Sequence, residues 1–329
     1  MRIKHKIKKG INLLNSFFYK YKKSIKRFGI SYSTEIFIGD IIIQLITHKI
    51  ICNKKFESIF YNRRHCIIKK NIINNYGNII FQELENHPQL TNNGPIWFCW
   101  LQGEEQMPEY VKLCYNSTKK NGTREVILIT MDNYKKYIEL PNHIIEKVNK
   151  GLFTYTFFTD ILRANLLYKY GGLWCDSRIL ITQPLTKEYF NYNYFTVKNK
   201  TKNCWYVSDY RWTVGFMSAS PHSPIFHLLM TFFSNYTKNE DFLIDYFLID
   251  YTLSIAYEYN KQIKALIDAV PYNNESFFIL VNNVTPNEQD YKKIQQTSLF
   301  LLPKYEKEEL KKTLEDKSSL LNHILQLCY

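Results

Sequence analysis

The chain has 329 residues, of which 45% are hydrophobic and only 11 are glycine. This composition supplies a sizeable core and excludes general disorder, and so few glycines disfavour a glycine-rich phosphate-binding loop. The net charge of +13 indicates an anionic partner, but the sequence contains no recognisable nucleic-acid-binding module, and we expect no nucleic acid among the partners.

The first 27 residues form a basic segment. They contain ten lysines and arginines, and no acidic residue precedes Glu35. Apolar residues recur at positions 3, 7, 11, 14 and 18, which predicts an amphipathic helix. Such a helix either lies on an anionic membrane surface or packs on the core, and the sequence leaves both interpretations open. We predict a helical basic N-terminal extension over residues 1–90, with asparagine-rich breaks around residues 71–78.

The sequence also suggests where the protein resides. The most apolar early stretch, Ile36–Ile46, is interrupted by Asp40 and Gln44 and is too short to span a bilayer. No signal-peptide pattern follows the basic start, and the seven cysteines form no CxxC pair, which favours a reducing compartment. We therefore expect a bacterial cytoplasmic protein, with peripheral contact at the inner face of the plasma membrane as a further hypothesis.

Strands and helices are predicted to alternate after the breaker cluster at residues 92–95. The predicted elements are a strand at 96–100, a helix at 108–119, a strand at 126–130, a helix at 141–150, a helix at 160–170 capped by Thr159, and a strand at 173–175. This alternation is typical of an α/β fold with a parallel sheet, which binds ligands at the carboxyl ends of its strands.

The pattern changes beyond Leu185. We predict strands at 194–197, 205–208 and 212–218, and helices at 223–237 and 241–259. This second half has an α+β character and is expected to form the other side of a cleft.

The segment 159–176 carries the strongest chemical signal. Asp160 and Arg163 are three residues apart and share one face of the predicted helix. Asp176 ends an apolar strand, directly after the turn that Gly171 and Gly172 permit. On spacing alone, an ion pair in solvent is the simpler interpretation of the pair, and a strand-end cap or turn residue that of Asp176.

The order of these residues resembles a known motif. Asp160-x-x-Arg163 followed by Gly171-Gly172-x-Trp174-x-Asp176 is similar to the core of the DXD sugar-transferase group, which includes glycosyltransferase family 32 and the capsular polysaccharide synthesis proteins. The stretches 95–108 and 245–250 resemble the same proteins in the same order. The resemblance implies a GT-A fold, a mixed, mainly parallel sheet flanked by helices, over residues 91–329. Residues 91–185 would bind the nucleotide sugar, and residues 186–329 would provide the acceptor side and the C-terminal helices.

The resemblance also implies roles for individual residues. Asp160 would hold sugar hydroxyls, Arg163 would contact the sugar or the diphosphate, and Asp176 would contact the ribose and the metal–diphosphate unit. We expect the base and ribose to lie in a cavity beside Trp97. The remaining residues predicted to bind the donor are Trp100, Gly103, Gly171, Gly172 and Arg178.

One departure from the motif concerns the metal. The usual Asp-x-Asp is Asp176-Ser177-Arg178 here, so the second acidic residue is missing. Asp176 is then the single predicted metal ligand, and Mn²⁺ or Mg²⁺ is the expected cofactor. Arg178 either replaces part of the cation's charge near the diphosphate or points outward.

The implied reaction is transfer of a sugar, with retention of anomeric configuration, from a nucleotide diphosphate donor such as a UDP-sugar. The acceptor would be a growing capsular or other surface polysaccharide, lipid-linked or free. The alternative is a catalytically inactive relative that binds a glycan or a nucleotide sugar. Asp245 and Asp250 are five residues apart and do not share a helical face, so we expect at most one of them to orient an acceptor hydroxyl.

Overall fold

The structure is a computed structural model that describes residues 18–82, 91–282 and 287–326. Most of the predicted basic amphipathic helix, residues 1–17, lies outside the described residues. The last part of that segment is helical from residue 18 to residue 28, and we label this helix α1.

A five-stranded sheet forms the centre of the molecule, with strand order β2-β1-β3-β6-β5. β1 pairs in parallel with both β2 and β3, whereas β6 is antiparallel to its neighbours β3 and β5. The predicted α/β class, with a mixed and mainly parallel sheet flanked by helices, is therefore confirmed. The strands are β1 (Ile96–Cys99), β2 (Val126–Ile129), β3 (Gly172–Cys175), β5 (Tyr194–Thr196) and β6 (Phe216–Ala219), and a separate antiparallel pair consists of β4 (Ile179–Ile181) and β7 (Leu299–Leu301).

Helices cover both faces of the sheet. After α1 they are α2 (Ile30–Thr47), α3 (Lys54–Ile80), α4 (Glu109–Asn121), α5 (Asn142–Asn149), α6 (Tyr155–Tyr170), α7 (Glu188–Asn191), α8 (Pro224–Asn239), α9 (Leu248–Tyr259), α10 (Lys261–Asp268), α11 (Glu288–Gln295), α12 (Lys307–Glu315) and α13 (Leu320–Gln326).

Four predicted elements differ clearly from the structure. Helix α6 begins a turn earlier than expected, because Thr154 rather than Thr159 caps it by accepting a hydrogen bond from the backbone N–H of Phe157. Residues 205–208 form turns instead of a strand. The strand predicted at 212–218 begins only at Phe216, and α9 begins only at Leu248. The ends of α6, β6 and α9 are displaced where local sequence signals compete, whereas the strand predicted at 205–208 does not form.

The N-terminal helices share the core of the sheet. The asparagine-rich stretch lies inside the continuous helix α3, so the predicted breaks there are wrong. Ile72, Tyr76 and Ile80 follow at intervals of four, and their burial in the main core outweighs the low helix propensity of asparagine. The boundary drawn at residue 90 does not coincide with a break in the core.

Helix α2 has 18 residues with a mean hydropathy of 1.3, so by length and composition it could cross a membrane. A core helix of a soluble protein and a signal sequence pass the same test, and only 22% of α2 is buried in this structure. In the structure α2 packs against α3, and Asp40 near its middle bonds to Arg64 of α3 with Oδ1–Nη2 at 2.7 Å. The charged residue that interrupts this apolar helix is thus paired inside the protein.

The double glycine turns the chain from α6 into β3. Gly171 and Gly172 have φ of 66° and 91°, which side chains disfavour. A Cβ atom on Gly172 would lie 2.2 Å from the carbonyl oxygen of Pro95, at the start of β1. Glycine therefore lets β3 lie close against β1, which aligns the carboxyl ends of both strands.

Candidate active site

A cavity of about 530 Å³ opens at the carboxyl ends of β1 and β3. This volume lies within the range of about 300–1,000 Å³ that is usual for small-molecule sites. Trp100 comes directly after β1, Asp176 and Arg178 come directly after β3, and helix α6 contributes Asp160 and Arg163. The structure thus brings together the three residues that the sequence predicted to be catalytic.

Arg163 lies at the centre of this group. Its Nη2 is 2.9 Å from Oδ1 of Asp176 and 3.4 Å from Oδ1 of Asp160, and its Nη1 donates to the carbonyl oxygen of Val214. The Arg163 side chain is only 3% exposed, so the interpretation as an ion pair in solvent is wrong. Nε of Arg163 is buried and has no hydrogen-bond partner among the described residues.

Asp176 is held from several directions. Its Oδ1 accepts hydrogen bonds from Arg163 and from Nε1 of Trp174 at 2.6 Å, and its backbone N–H donates to the carbonyl oxygen of Gly215. A Cβ atom at position 215 would lie 2.9 Å from Oδ2 of Asp176, so a side chain there would displace this carboxylate. The Asp176 carboxylate is therefore fixed in orientation while 38% of its side chain stays exposed in the cavity.

A further carboxylate, Asp250 on α9, lines the same cavity and accepts a hydrogen bond from Nε1 of Trp212 at 2.9 Å. Burial raises the pKa of Asp160 to about 7, although Arg163 opposes the shift. Burial likewise raises the pKa of Asp250 to about 6, with Trp212 and Arg163 opposing. Both carboxyl groups therefore keep part of their protons near neutral pH.

These raised pKa values predict how stability depends on pH. An unfolded aspartate titrates near 3.8, so between that pH and about 7 the folded state binds more protons, and stability falls as the pH rises. The wild-type protein loses stability between pH 5 and pH 8. We expect this loss in the free energy of unfolding to be about 2–3 kcal/mol smaller in Asp160→Asn. Urea unfolding at both pH values measures this difference.

Asp250→Asn serves as the graded comparison for that experiment. Because the pKa of Asp250 is raised less, its replacement is expected to make the loss of stability between pH 5 and pH 8 only about 1 kcal/mol smaller. Parallel pH profiles for the wild-type protein and Asp160→Asn would contradict a raised pKa at Asp160.

The cavity offers few protein ligands to a metal ion. Among the residues that the structure describes, no group of three or more His, Cys, Asp or Glu side chains is placed to hold a metal. The two side-chain bonds of Asp176 end on Oδ1, which leaves Oδ2 available. Mg²⁺ commonly binds one carboxylate together with substrate phosphates and water, and Asp176 suffices for that ligand set.

Arg178 occupies the position of the missing second acid and lines the cavity, so the outward-pointing alternative does not hold. Its Nη1 donates to the carbonyl oxygen of Leu302 at 3.1 Å, which anchors the guanidinium at the cavity wall. The Arg178 guanidinium thus brings positive charge to the wall of the cavity.

Four residues predicted to bind the donor lie outside the cavity. Trp97 is buried in the core, where its Nε1 donates to the carbonyl oxygen of Gly171, so the cavity begins at Cys99 and Trp100 rather than beside Trp97. Gly171 and Gly172 shape the chain reversal, and Gly103 with φ of 88° begins a short 3₁₀ turn. Only Trp100 and Arg178 of that set line the cavity.

The family assignment rests on residues 44–324, which match the model of the capsular polysaccharide synthesis protein family. The match covers well over half of the chain. The chain belongs to the capsular polysaccharide synthesis protein family. Every residue that lines the cavity falls inside the region matched to this family, and so do all of α3 and the end of α2.

Among solved structures, the chain is similar to PaToxG Glycosyltransferase, with 17% identity, a TM-score of 0.36, and coverage of 71% of this chain and 95% of that chain. A comparison with curated proteins finds no match.

Several cavity residues of this capsular synthesis family member were not predicted from the sequence, or were ranked low. Asp250 is one of two open candidates, and it lines this cavity, whereas Asp245 does not. The aromatic residues Tyr206 and Tyr210 reach the cavity from a loop in which Asp209 and Tyr210 both have positive φ. Non-glycine residues in that conformation are uncommon and concentrate at functional sites, but no sequence signal announces them.

Proposed function

We propose that this protein is a GT-A-type glycosyltransferase. It transfers a sugar from a nucleotide diphosphate donor, a UDP-sugar in the first instance, to a growing capsular or other surface polysaccharide. One observation carries the proposal: Asp160, Arg163 and Asp176 converge in a single cavity at the carboxyl ends of the parallel strands, in a member of the capsular polysaccharide synthesis family.

The charges in the cavity suit a diphosphate leaving group. Negative charge develops on the diphosphate as the glycosyl bond breaks, and fixed cations stabilise it most in the transition state. Arg163 and Arg178 line the cavity and supply two such cations. Guanidinium groups also bind phosphate oxygens in a planar, two-pronged manner.

Asp176 is the residue that we propose to hold Mn²⁺ or Mg²⁺. When bound, the cation would neutralise diphosphate charge. Arg163 and Trp174 hold Asp176 in one orientation, so the carboxylate requires little rearrangement to meet a donor. We expect chelation of divalent metal to lower transfer activity.

The raised pKa values of Asp160 and Asp250 also favour binding of a diphosphate. Because both carboxyl groups keep part of their protons near neutral pH, they place less negative charge beside the incoming diphosphate. They can also donate or accept hydrogen bonds with sugar hydroxyls. Their position supports binding of the donor sugar, and we propose transfer with retention of configuration, which NMR of the product's anomeric proton tests.

The proposed function predicts binding of a nucleotide sugar. UDP-glucose, UDP-galactose and UDP-N-acetylglucosamine, each with Mn²⁺, form the test panel, because a ligand that binds only the folded state stabilises it by about 2.7 kcal/mol at a hundredfold excess over Kd. We expect at least one of them to raise the unfolding midpoint of the wild-type protein. The measurement is thermal unfolding at fixed protein concentration.

Two outcomes separate the alternatives. A midpoint raised by a UDP-sugar without any release of UDP would favour the inactive binding relative. No response to the UDP-sugars or to GDP- and dTDP-linked sugars would contradict the proposed donor class.

We also propose that the N-terminal helices contact an anionic membrane at the cytoplasmic face. Phe18, Tyr19 and Ile30 are exposed, and the basic residues Lys22 and Lys26 on α1 are exposed beside them. Exposed apolar side chains next to lysines are typical of helices that lie on anionic lipid.

Co-sedimentation with phosphatidylglycerol vesicles tests this surface. The double variant Lys22→Glu, Lys26→Glu is expected to bind about tenfold or more weakly, since each lysine near such a surface contributes about 1 kcal/mol. Vesicles of phosphatidylcholine alone provide the control. Equal binding of the variant and the wild-type protein to the anionic vesicles would contradict the proposal.

A further inference from the structure

A second cavity, of about 410 Å³, lies next to the first. Its wall is formed by the N-terminal helices α2 and α3, by the loop that carries Trp205, and by the segment before α9. Tyr246 and Phe247 line both cavities. A ligand in the second cavity would therefore lie beside the proposed donor site, with these two aromatic residues between them.

Trp205 and Tyr61 form an aromatic platform in this second cavity. The ring of Trp205 stacks on that of Tyr61, with ring centroids 5.4 Å apart and an interplanar angle of 28°. Trp205 is 37% exposed, whereas Tyr61 is buried, so Trp205 offers its ring to a ligand while Tyr61 supports it. The buried hydroxyl of Tyr61 has no hydrogen-bond partner among the described residues and can pair with a ligand group.

His65 on α3 holds the platform in place. Its Nδ1 is 2.7 Å from the hydroxyl of Tyr251, and its Nε2 is 2.9 Å from the carbonyl oxygen of Cys204, next to Trp205. Burial lowers the pKa of His65, so the ring is neutral at pH 7. Nε2–H then donates to the Cys204 carbonyl, and Nδ1 accepts from Tyr251, which ties the Trp205 loop to two helices.

The charges of the second cavity cancel. Arg64 bonds through Nη2 to Asp40 at 2.7 Å and to Asp245 at 3.0 Å, and Lys20 lies 3.8 Å from Asp40. Two cations face two carboxylates, so the cavity has no excess charge to attract a phosphate or a carboxylate ligand. An exposed aromatic face beside balanced hydrogen-bonding groups suits a neutral, polyhydroxylated ligand.

We propose that the second cavity is the acceptor subsite and binds a neutral oligosaccharide, with the C–H face of one sugar ring on Trp205. The growing end of the saccharide reaches the first cavity past Tyr246 and Phe247. This inference rests on the proposed glycosyltransferase function. It gives helix α3 a direct role in substrate binding, since Tyr61 and His65 support the platform.

The test uses the neutral oligosaccharides that ion exchange separates from a partial acid hydrolysate of the host's surface polysaccharide. Their binding to the full chain is measured by saturation-transfer NMR, and UDP-sugar binding is measured in parallel. We expect Trp205→Ala to raise the saccharide Kd about tenfold or more. Trp205→Phe, which keeps an aromatic face, is expected to restore most of the binding, and Tyr259→Ala, at an exposed aromatic residue outside both cavities, to leave it unchanged.

The outcomes distinguish this inference from the proposed function. UDP-sugar binding that is equal in all variants, with saccharide binding lost only in Trp205→Ala, supports the acceptor subsite. A wild-type protein that binds a UDP-sugar but no saccharide overturns the subsite alone, as does unchanged saccharide binding in Trp205→Ala. A wild-type protein that binds saccharides through Trp205 but no nucleotide sugar overturns the proposed donor and retains the glycan site.

Discussion

Asp176→Asn is expected to lower the rate of sugar transfer about 100- to 1,000-fold, the range found when one preorganised electrostatic contact to the transition state is removed. Asparagine can keep Oδ1 in place to accept the hydrogen bonds from Arg163 and Trp174, so the substitution removes charge with little change of shape. The lost carboxylate is the one that we propose to hold the cation beside the diphosphate. UDP release from the donor, with surface oligosaccharides present, measures the effect.

The fold of the Asp176→Asn variant should be retained. Asparagine keeps an oxygen that accepts from Arg163 and Trp174, but Arg163 is buried and loses its closest carboxylate charge, so we expect the free energy of unfolding to fall by about 1–3 kcal/mol. Asp132→Asn is the matched control, because this exposed aspartate follows β2 near the same edge of the sheet but outside the cavity. Wild-type transfer rates in a folded Asp176→Asn variant would remove Asp176 from the proposed site.

Arg64→Met is expected to produce the largest loss of stability, about 3–5 kcal/mol, because it leaves buried carboxylates without their cation. Arg64 is 7% exposed, and its Nη2 joins Asp40 of α2 to Asp245 of the segment before α9. Methionine fills part of the volume of the arginine side chain, so the loss of stability measures the missing charge more than the missing packing. Urea unfolding at pH 7 measures the free energy change.

The neighbouring arginine supplies the control for this variant. Arg63 is 73% exposed and lies 3.6 Å from Glu35, so Arg63→Met is expected to change stability by about 1 kcal/mol or less. Adding Asp245→Asn to Arg64→Met should recover part of the loss, since it removes one of the uncompensated charges. Equal effects of Arg63→Met and Arg64→Met would show that the buried network contributes nothing beyond a surface pair.

This network also connects the two halves of the molecule. Arg64 and Asp245 are 181 positions apart in sequence, and they line the second cavity together. Loss of Arg64 is therefore expected to disturb the segment that carries Tyr246 and Phe247, which separates the two cavities. We expect saccharide binding to weaken in Arg64→Met along with stability.

The sequence by itself determined the elements whose signals are local. The apolar runs at β1, β2 and β3, the glycine pair after α6, and the order of helices and strands predicted the mainly parallel sheet. The spacing of Asp160 and Arg163 placed both on one face of a helix, and Asp176 was placed at the end of the next strand. The helix and the strand end meet at one edge of the sheet. These inferences succeed because backbone hydrogen bonding and side-chain periodicity depend on neighbours within a few residues.

Only the tertiary structure decided which side chains face the cavity. β1 is buried along its whole length, so its apolar run carries no alternation to show that Trp97 turns into the core. The bond from Trp212 to Asp250, the contact of Arg64 with Asp245, and the stacking of Tyr61 on Trp205 join residues that are far apart in the chain. The raised pKa values of Asp160 and Asp250 depend on the same long-range burial. Desolvation and pairing are properties of the assembled core, and no local pattern in the sequence encodes them.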